Sequence, residues 1–330
     1  MEHKLYPLKF TPVLKDKIWG GNKMKTQLGI DFHPLPNCGE AWMVSGVEDN
    51  TSVVSNGFLQ GNELNELVEI YMGDLVGDEI FNRFGNEFPL LIKFIDAADW
   101  LSIQVHPDDE LAAKRGIGFG KTEMWYIMEA DNEAQLITGF KRDTSREEYV
   151  GHLNNNRLKQ LLNFEQVKNG DVFYMPAGRV HALGPGILLA EIQQTSDTTY
   201  RIFDWNRVDD QGKPRELHTE EALDAIDYKS ADDYKAQYKP IHNGTATLVE
   251  SPFFTTNLIQ LDAALAKDYT ELDSFVIYIA VEGSFTLVHD GTDEQQVKVK
   301  KGETLLLPAV IDRVDIIPDQ PSKILEVFIQ

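Results

Sequence analysis

Short apolar stretches separated by turn residues dominate the pattern along the chain. Runs of apolar or alternating residues lie between clusters of Gly, Pro, Asn and Asp, which is typical of short β-strands. Many short strands of this kind favour a β-sandwich or barrel architecture. The predicted strands include Pro89–Ile95, Ser102–Val105, Trp125–Glu129, Asp171–Met175, Ile187–Ile192, Phe275–Val281, Phe285–His289 and Thr304–Leu307.

Three stretches depart from this pattern and show helical spacing instead. Apolar residues recur at intervals of three and four within residues 61–88, which predicts a helix there. A second helix is predicted within residues 144–163, with Thr144 or Ser145 as its N-cap. A short third helix is expected over Glu220–Ile226. The sequence therefore predicts a mainly β chain with short helical insertions.

One local pattern occurs twice. Gly170 and Pro176 enclose five residues of a predicted strand, and Gly302 and Pro308 do the same. Both the glycines and the prolines are 132 residues apart (302 − 170 and 308 − 176). Glycine and proline at these places are turn residues that bound a strand. The spacing indicates an internal repeat.

A second pair of similar strands lies upstream of each copy. Tyr126–Glu129 and Tyr278–Glu282 both begin with tyrosine and end with an acidic residue. The first acidic residue precedes Gly170 by 41 positions, and the second precedes Gly302 by 20 positions. The difference of 21 residues is about the length of the predicted helix within 144–163. The first copy is thus interpreted as carrying a helical insertion.

The length of the chain agrees with two structural units. A chain of 330 residues is long for one domain and sufficient for two, each with its own core. We therefore expect two related β-barrels. The first covers residues 1–230 with helical insertions at about 61–88 and 144–163, and the second covers residues 231–330.

Composition narrows the classes of partner. The chain has 31 basic and 53 acidic side chains, for a formal net charge of −22. Such a charge repels nucleic acids and anionic membranes, so neither is expected as a partner. The sequence does not indicate an oligomeric state. Any local cluster of Lys and Arg in so acidic a chain is therefore a candidate site for an anionic ligand.

Compartment signals are few but consistent. Cys38 is the only cysteine, so no intrachain disulfide can form, which fits a reducing environment. Residues 1–10 lack the apolar segment of a signal peptide. No apolar run approaches the roughly 20 residues that span a bilayer. We expect a cytoplasmic protein.

A metal-site motif continues the first copy of the repeat. Gly170-x5-Pro176-x-Gly178-x2-His181 matches the second motif of the cupin superfamily, in which a histidine follows the strand and points into the barrel. The two barrels are therefore expected to be jelly rolls of the cupin type. In the second copy, Pro308–Asp312 has no histidine at the matching place, so that barrel is expected to bind no metal.

Three further residues complete a possible ligand set with His181. Gln104 and His106 are two positions apart on a predicted strand, so their side chains share a face. Glu123 follows 17 residues later. Histidine and carboxylate ligands suit zinc, and three firm protein ligands leave a position open for substrate, as a catalytic site requires. The alternative is that each histidine has a separate structural role.

The ordered motifs between residues 10 and 205 resemble those of the type I mannose-6-phosphate isomerases, in the short form common among bacteria. The last hundred residues resemble the family only as a barrel. The matching blocks are Ile18–Gly21, Gly39–Ser45, Leu91–Phe94, Leu101–Pro107, Lys121–Trp125, and Glu191 followed by Ser196–Arg201.

This resemblance implies a reaction and a set of roles. The reaction is the interconversion of mannose 6-phosphate and fructose 6-phosphate at one zinc ion per chain. The implied zinc ligands are His106, Glu123 and His181, with Gln104 as a fourth. The implied catalytic residues are Arg201, Lys121, Glu191 and Asp197, and the implied substrate-binding residues are Lys93, Ser102 and Trp19.

One position departs from the family pattern. Gly120 stands where some longer members have a histidine, so no proton transfer by that histidine applies to this chain. The chain also lacks the large helical domain of the eukaryotic forms. Substrate closure is therefore expected to differ.

The chemistry leaves the choice of general base open. Moving a proton between C1 and C2 through an enediol needs a base, an acid and stabilisation of an oxyanion. Lys121, Glu191 or Asp197 can act as the base, whereas the permanent cation Arg201 can stabilise the enediolate or bind substrate. A structural ion pair of Glu191 or Asp197 with Arg201 is the alternative interpretation, and Lys93 can be a strand residue whose ammonium group reaches solvent.

Two rival functions use the same fold. Two histidines and a carboxylate in a cupin can bind iron and activate oxygen, and zinc, manganese or cobalt can fill the site of an isomerase. A non-catalytic protein that binds a sugar is the other rival, because cupin barrels carry many functions. The iron enzyme does not account for Lys121, Arg201 or the ordered blocks, and the binding protein leaves the metal without a role.

Overall fold

The computed structural model describes residues 4–208, 211–289 and 296–330. Its helices are short, and within the described ranges none has the length and apolar character needed to cross a membrane. The helices are α1 (Lys23–Leu28), α2 (Leu64–Val76), α3 (Asp78–Phe84), α4 (Asp109–Arg115), α5 (Arg146–Asn154) and α6 (Thr219–Ala225), with a 3-10 turn at Leu158–Gln160.

Strands make up most of the regular structure, as predicted. In chain order they are β1 (Phe10–Thr11), β2 (Val13–Lys15), β3 (Glu40–Val44), β4 (Val53–Val54), β5 (Leu90–Ala97), β6 (Ile103–Val105), β7 (Glu123–Ala130), β8 (Gln135–Phe140), β9 (Leu162–Gln166), β10 (Val172–Met175), β11 (His181–Leu183), β12 (Ile187–Gln194), β13 (Tyr200–Phe203), β14 (Gly244–Glu250), β15 (Thr255–Leu261), β16 (Leu265–Asp268), β17 (Val276–Glu282), β18 (Ser284–His289), β19 (Gln296–Lys300), β20 (Thr304–Leu307), β21 (Arg313–Pro318) and β22 (Ser322–Phe328).

The first half of the chain forms two facing antiparallel sheets. One has the order β10-β7-β12-β5-β3-β2 and the other β13-β6-β11-β8-β9. Apolar residues from both sheets, such as Trp125 and Leu189 from the first and Leu136 and Leu183 from the second, share one buried cluster. The strands therefore form a two-layer sandwich of the cupin type, the first sandwich.

The second half repeats this arrangement. Its sheets have the orders β14-β15-β22-β17-β20 and β16-β21-β18-β19, and they share a separate buried cluster. A short β1-β4 pair is the fifth sheet. None of the five sheets closes into a barrel, so each predicted jelly-roll barrel is an open pair of sheets in this structure. We call the second pair the second sandwich.

The predicted repeat is confirmed by strand order and by hydrogen bonds, but the upstream match is off by one residue: Tyr278 pairs with Leu305 as Trp125 pairs with Phe173, so Tyr278 corresponds to Trp125 and not to Tyr126. In the larger sheet of the first sandwich, the neighbouring strands β10-β7-β12-β5 correspond to β20-β17-β22-β15 in the larger sheet of the second. The backbone N–H of Gly170 donates to the Ile127 carbonyl at 2.8 Å, and that of Gly302 donates to the Ala280 carbonyl at 2.9 Å. The turns that precede β10 and β20 thus form the same hydrogen bond to the neighbouring strand. Residue equivalences between the two sandwiches follow directly from this register.

The helical insertion in the first copy lies where the repeat spacing predicts it. Helix α5 and the following 3-10 turn connect β8 to β9. Ser145 is the N-cap, and its hydroxyl accepts the backbone N–H of Glu148 at 3.1 Å. The predicted helix within residues 61–88 is two helices, α2 and α3, separated at Gly77. The third predicted helix is α6.

The two sandwiches pack through the outer faces of their larger sheets. One buried cluster contains residues of β5 and β12, such as Phe94 and Ile192, together with residues of β17 and β22, such as Ile277 and Val327. Strand β5 is buried along its whole length because it has apolar neighbours on both faces. The inner face of the larger sheet in the first sandwich is not used in this packing and is available to the candidate site.

The equivalent glycines Gly170 and Gly302 give a matched stability test. Both have φ of +86°, which costs an L-residue about 1–2 kcal/mol. A Cβ on Gly302 would also lie 2.8 Å from Leu28 Cβ, whereas on Gly170 the nearest atom is Tyr238 Oη at 3.4 Å. We expect Gly302→Ala to lower the free energy of unfolding by about 1–3 kcal/mol more than Gly170→Ala. Denaturant unfolding of both variants measures this, and equal losses would contradict it.

Candidate metal centre and cavity

The predicted ligands meet between the two sheets of the first sandwich. Glu123 begins β7 in the six-stranded sheet, His181 begins β11 in the five-stranded sheet, and His106 directly follows β6. Their ligand atoms all lie within 4.8 Å of one another, and all three side chains are buried. Among the described residues this is the one such group of His, Cys, Asp or Glu side chains.

The distances suit a small tetrahedral cation. His181 Nε2 lies 3.4 Å from Glu123 Oε1, and His106 Nε2 lies 3.7 Å from Glu123 Oε2. Ligand atoms about 2.0–2.1 Å from a tetrahedral zinc are about 3.4 Å from each other. Glu123 Oε1 is buried and has no hydrogen-bond partner among the described residues. A buried carboxylate oxygen of this kind needs a cation.

Backbone carbonyls orient both histidines. His106 Nδ1 donates to the Thr198 carbonyl at 2.9 Å, and His181 Nδ1 donates to the Arg179 carbonyl at 2.8 Å. Because a carbonyl only accepts, each Nδ1 carries the proton and each Nε2 presents a lone pair to Glu123. Burial lowers the pKa of His181 to about 4 and that of His106 well below its usual range. Both rings are therefore neutral, as metal ligands must be.

Loops on either side of His106 hold it in place. The N–H of Gly178 donates to the His106 carbonyl at 2.9 Å, and the N–H of Lys121 donates to the Pro107 carbonyl at 2.9 Å. In the chain between Pro107 and Lys121, helix α4 begins after its N-cap residue, Asp108, whose side chain accepts a backbone N–H. The connection from β6 to β7 is thereby fixed at both ends.

Lys121 and Gln104 stand beside the three ligands. The Lys121 ammonium contacts the Glu123 carboxylate and lies 3.2 Å from His106 Nε2. Burial raises the pKa of Glu123 to about 7 despite this ammonium group. The Gln104 amide lies 3.2 Å from His181 Nε2, and a half-turn of that amide exchanges its nitrogen and oxygen. Gln104 is thus placed as the fourth candidate ligand.

A cavity of about 360 Å³ opens onto this cluster. His106 and Glu123 lie behind its wall, whereas every other sequence-predicted site residue lines it. Those lining residues are Trp19, Lys93, Ser102, Gln104, Lys121, His181, Glu191, Asp197 and Arg201.

A row of paired side chains crosses the cavity floor. Glu191 pairs in register with Trp125 on one side and with Lys93 on the other. Trp125 Nε1 donates to Glu191 at 2.9 Å, and Lys93 Nζ lies 3.2 Å from the other carboxylate oxygen. Burial opposes ionisation of Glu191, but Lys121 and Lys93 outweigh it and lower the pKa to about 2. Glu191 is therefore a carboxylate with both oxygens engaged.

This row corrects one interpretation of Lys93. Its ammonium group does not reach solvent, because the residue is only 6% exposed and pairs with Glu191. Burial lowers the pKa of Lys93, but Glu191 and Glu40 outweigh burial and leave it raised.

Arg201 faces the cavity without a carboxylate partner among the described residues. Its Nη1 donates to the Glu216 carbonyl at 2.8 Å, and its Nε is buried with no acceptor. Neither Glu191 nor Asp197 lies within ion-pair distance, so the alternative of a structural ion pair with Arg201 is wrong. Burial, followed by the nearby Arg215, lowers the pKa of Arg201.

Besides Trp125, five charged or aromatic lining residues were not predicted as site residues. The structure adds Lys15 and Lys17 from the chain around β2, Glu40 and Trp42 from β3, and Arg215. Glu40 and Trp42 lie within the block Gly39–Ser45, which carried a resemblance but no role. For the two lysines the available signal was their position directly before the Trp19 block.

The matching positions of the second sandwich carry other residues. Glu123 pairs with Met175 and Val276 pairs with Leu307, so Val276 stands where Glu123 does. His181 is the fifth residue after Pro176, and the fifth after Pro308 is Arg313, which forms an exposed ion pair with Asp268 at 3.1 Å. These replacements leave no equivalent ligand set among the described residues.

Comparison with known proteins agrees with this geometry. The family model "Phosphomannose isomerase type I, catalytic domain" matches residues 7–148, and "Mannose-6-phosphate isomerase, cupin domain" matches residues 244–317. The chain is 38% identical over 306 residues to mannose-6-phosphate isomerase of Streptococcus mutans, covering 92% of this chain and 93% of that protein. It is 37% identical over 308 residues to mannose-6-phosphate isomerase ManA of Bacillus subtilis, with the same coverages.

Solved structures show the same fold. The crystal structure of mannose 6-phosphate isomerase from Bacillus subtilis superposes with a TM-score of 0.87 at 33% identity, covering 98% of this chain and 99% of that one. A putative mannosephosphate isomerase from Archaeoglobus fulgidus shares the fold with a TM-score of 0.79 at 22% identity and full coverage of both chains. Sequence and structure agree on one assignment. The chain belongs to the type I phosphomannose isomerase family.

Proposed function

We propose that this chain is a zinc-dependent isomerase that interconverts D-mannose 6-phosphate and D-fructose 6-phosphate through an enediol. The observation that carries the proposal is the buried cluster of His106, Glu123 and His181 at the foot of a cation-lined cavity. The named activity of the relatives supports the substrate. One zinc ion per chain is proposed, with Gln104 as the fourth ligand.

The donor set fits zinc. Two neutral imidazole nitrogens and one carboxylate are ligands of the type zinc accepts in catalytic sites, which keep a position open. When bound, zinc would supply a Lewis acid that can polarise the sugar carbonyl. Manganese, cobalt and iron accept similar donors, so the metal is an outcome to be measured.

Lys121 is proposed as the residue that moves the proton between C2 and C1: its neutral amine would take the proton from C2, and the ammonium group so formed would return it to C1. Isomerisation transfers one proton from C2 to C1 and one from O2 to O1, with no change in composition. Lys121 Nζ is buried beside the ligand cluster and lines the cavity. Glu191 has both oxygens engaged, and Asp197 is exposed at the cavity wall. Of the three candidates, Lys121 lies nearest to the ligands.

The remaining cavity residues are proposed to hold the substrate and the charge that develops on it. Arg201 lines the cavity and its guanidinium group has no carboxylate partner among the described residues, so it suits the enediolate oxygen. Glu191, fixed by Trp125 and Lys93, suits hydrogen bonds from sugar hydroxyls. Trp19 and Ser102 complete the wall against which the sugar packs.

Different roles are also proposed for the two halves of the chain. Residues 1–230 carry the metal centre and the cavity, and residues 231–330 form a sandwich without metal. Val276 and Arg313 at the ligand positions support this. The buried face between the sandwiches gives the second one a packing role.

Metal dependence is the first prediction that follows from the proposed function. A coupled assay of mannose 6-phosphate conversion should lose its activity after chelation and regain it when zinc is restored, because the ligands hold the ion that polarises the carbonyl. His181→Ala should lose the bound metal in elemental analysis. His242→Ala, at an exposed histidine, is the control and should keep it.

Two results would contradict this prediction. Full metal occupancy in His181→Ala would remove His181 from the ligand set. No turnover in a folded, zinc-loaded sample would exclude mannose 6-phosphate as the substrate, and tight sugar binding without turnover would then favour a binding protein. Oxygen consumption with bound iron would favour an oxygenase.

The proton carrier gives the second prediction. In deuterated water, Lys121→Met should abolish exchange of the C2 hydrogen of mannose 6-phosphate, because no group beside the ligands then removes it. Asp197→Asn should retain exchange within about tenfold, since an exposed carboxylate at the wall is not the base. NMR detects the exchange, and elemental analysis checks that both variants keep their metal. Retained exchange in Lys121→Met together with its loss in Asp197→Asn would move the role to Asp197.

The role of Arg201 gives the third prediction that follows from the proposed function. Arg201→Ala should reduce kcat by about 10²–10³ or more, the usual effect of removing an oxyanion donor, while the metal content stays near that of the unmodified protein. Arg142→Ala, which removes an equal charge from an exposed residue, should keep its activity. Unchanged kcat in Arg201→Ala would exclude Arg201 from the mechanism.

A further inference from the structure

Most cations of the cavity wall are neutralised by a partner. Six basic side chains line the cavity, namely Lys15, Lys17, Lys93, Lys121, Arg201 and Arg215. Four of them pair with a carboxylate: Lys17 with Glu40, Lys93 with Glu191, Lys121 with Glu123, and Arg215 with Asp204. Lys15 and Arg201 have no carboxylate within ion-pair distance among the described residues. Lys15 has been given no role so far.

Lys15 is nevertheless held in a defined position. It ends β2, the edge strand of the six-stranded sheet. Its ammonium group donates to Asn50 Oδ1 at 2.8 Å and lies 3.9 Å from the centroid of the Trp42 ring. A neutral amide acceptor and an aromatic face orient an ammonium group without removing its charge. Lys15 therefore keeps a fixed, uncompensated positive charge.

The Trp42 ring contacts both Lys15 and the Lys93–Glu191 pair of the cavity floor. Lys93 Nζ also lies over this ring, 4.9 Å from its centroid. Lys93 in turn pairs with Glu191 on the cavity floor. Lys15 is thus one aromatic ring away from the Lys93–Glu191 pair.

The charges near Lys15 are of both signs. Burial lowers its pKa, and the next contribution in the same direction comes from Lys17. Lys93 acts in the same sense, whereas Glu40 and Asp197 oppose it. Lys17 and Lys93 are paired with Glu40 and Glu191, so the ammonium group at this wall that has no carboxylate partner among the described residues is that of Lys15. An ammonium group of this kind suits an anion.

We propose that Lys15 binds the phosphate of the substrate and is a determinant of specificity for phosphorylated sugars. This inference rests on the proposed function. In a hexose 6-phosphate the phosphate lies at the opposite end of the sugar from C1 and C2. Lys15 lies on edge strand β2 and Glu123 on β7, with β12, β5 and β3 between them in the sheet, so Lys15 is at the far side of this wall from the ligand cluster. Lys15 therefore contacts the phosphate while C1 and C2 face the ligand cluster.

Arg215 is the competing candidate for this contact. Its Nε and Nη2 donate to the two oxygens of Asp204 at 2.7 and 2.6 Å. Asp204 also accepts Arg207, so its carboxylate neutralises this pair of guanidinium groups in part. Lys15 has no such carboxylate, which makes it the stronger partner for a dianion.

The test is calorimetric titration of inorganic phosphate into the zinc-loaded chain. Lys15→Met should weaken phosphate binding by about 10- to 100-fold, the effect of losing one charge-assisted contact. Lys15→Arg should restore most of it. Lys25→Met, which removes the same charge from an exposed lysine paired with Asp31, is the matched control and should bind phosphate as the unmodified protein does.

Kinetics give a second readout. Lys15→Met should raise KM for mannose 6-phosphate about 10- to 100-fold with kcat within about threefold, because Lys15 contacts the phosphate equally in the ground and transition states. Unchanged phosphate affinity in Lys15→Met, or its loss in Arg215→Ala instead, would overturn the assignment. Because the titration needs no turnover, a failed isomerase assay would leave its result readable.

Discussion

The structure of the site depends on one buried carboxylate. Glu123 is placed between two sheets where water does not reach it, and one of its oxygens has no protein partner among the described residues. Such a group is costly unless a cation compensates it. His106 and His181 cannot do so, because burial keeps both rings neutral and their Nδ1 protons are committed to carbonyls. Lys121 is the protein cation in contact with this carboxylate, and the oxygen without a partner is left available to a metal ion.

The second sandwich shows what the same strands do without that constraint. Glu326 stands where Glu191 does, since it pairs in register with Tyr278 and Asn257 as Glu191 pairs with Trp125 and Lys93. Here the buried acid is satisfied within the protein, by hydrogen bonds from Tyr269 and Asn257 and by Lys267 at 2.8 Å. The fold tolerates a buried acid in either state. Whether the acid serves structure or ligand binding depends on the partners that neighbouring strands supply.

The sequence was a good guide to local structure and to the ligand cluster. Strand β10 and its copy β20 followed from turn glycines and prolines, and the ligands from residues whose spacing along the chain already reflects strand and turn geometry. What the sequence did not predict depends on pairing between distant strands. Lys15 and Trp42 reach the cavity because β2 and β3 extend the sheet beyond β5, and the Lys93–Glu191 pair exists only in the observed register of β5 and β12. The expected cupin-type jelly rolls are confirmed as pairs of facing sheets.

Net charge and local charge act at different distances in this molecule. The chain as a whole is strongly acidic, yet six basic side chains and only three acidic ones, Glu40, Glu191 and Asp197, line the cavity. Exposed acidic groups are screened beyond a Debye length of about 8–10 Å, whereas groups that share one partly enclosed cavity are not. An anionic substrate at the mouth is therefore governed by the cationic wall. The same pairing leaves Arg201 and Lys15 as the two cavity cations without a carboxylate partner among the described residues. Under the proposed function, these two charges give the cavity a direction along which a sugar phosphate is oriented.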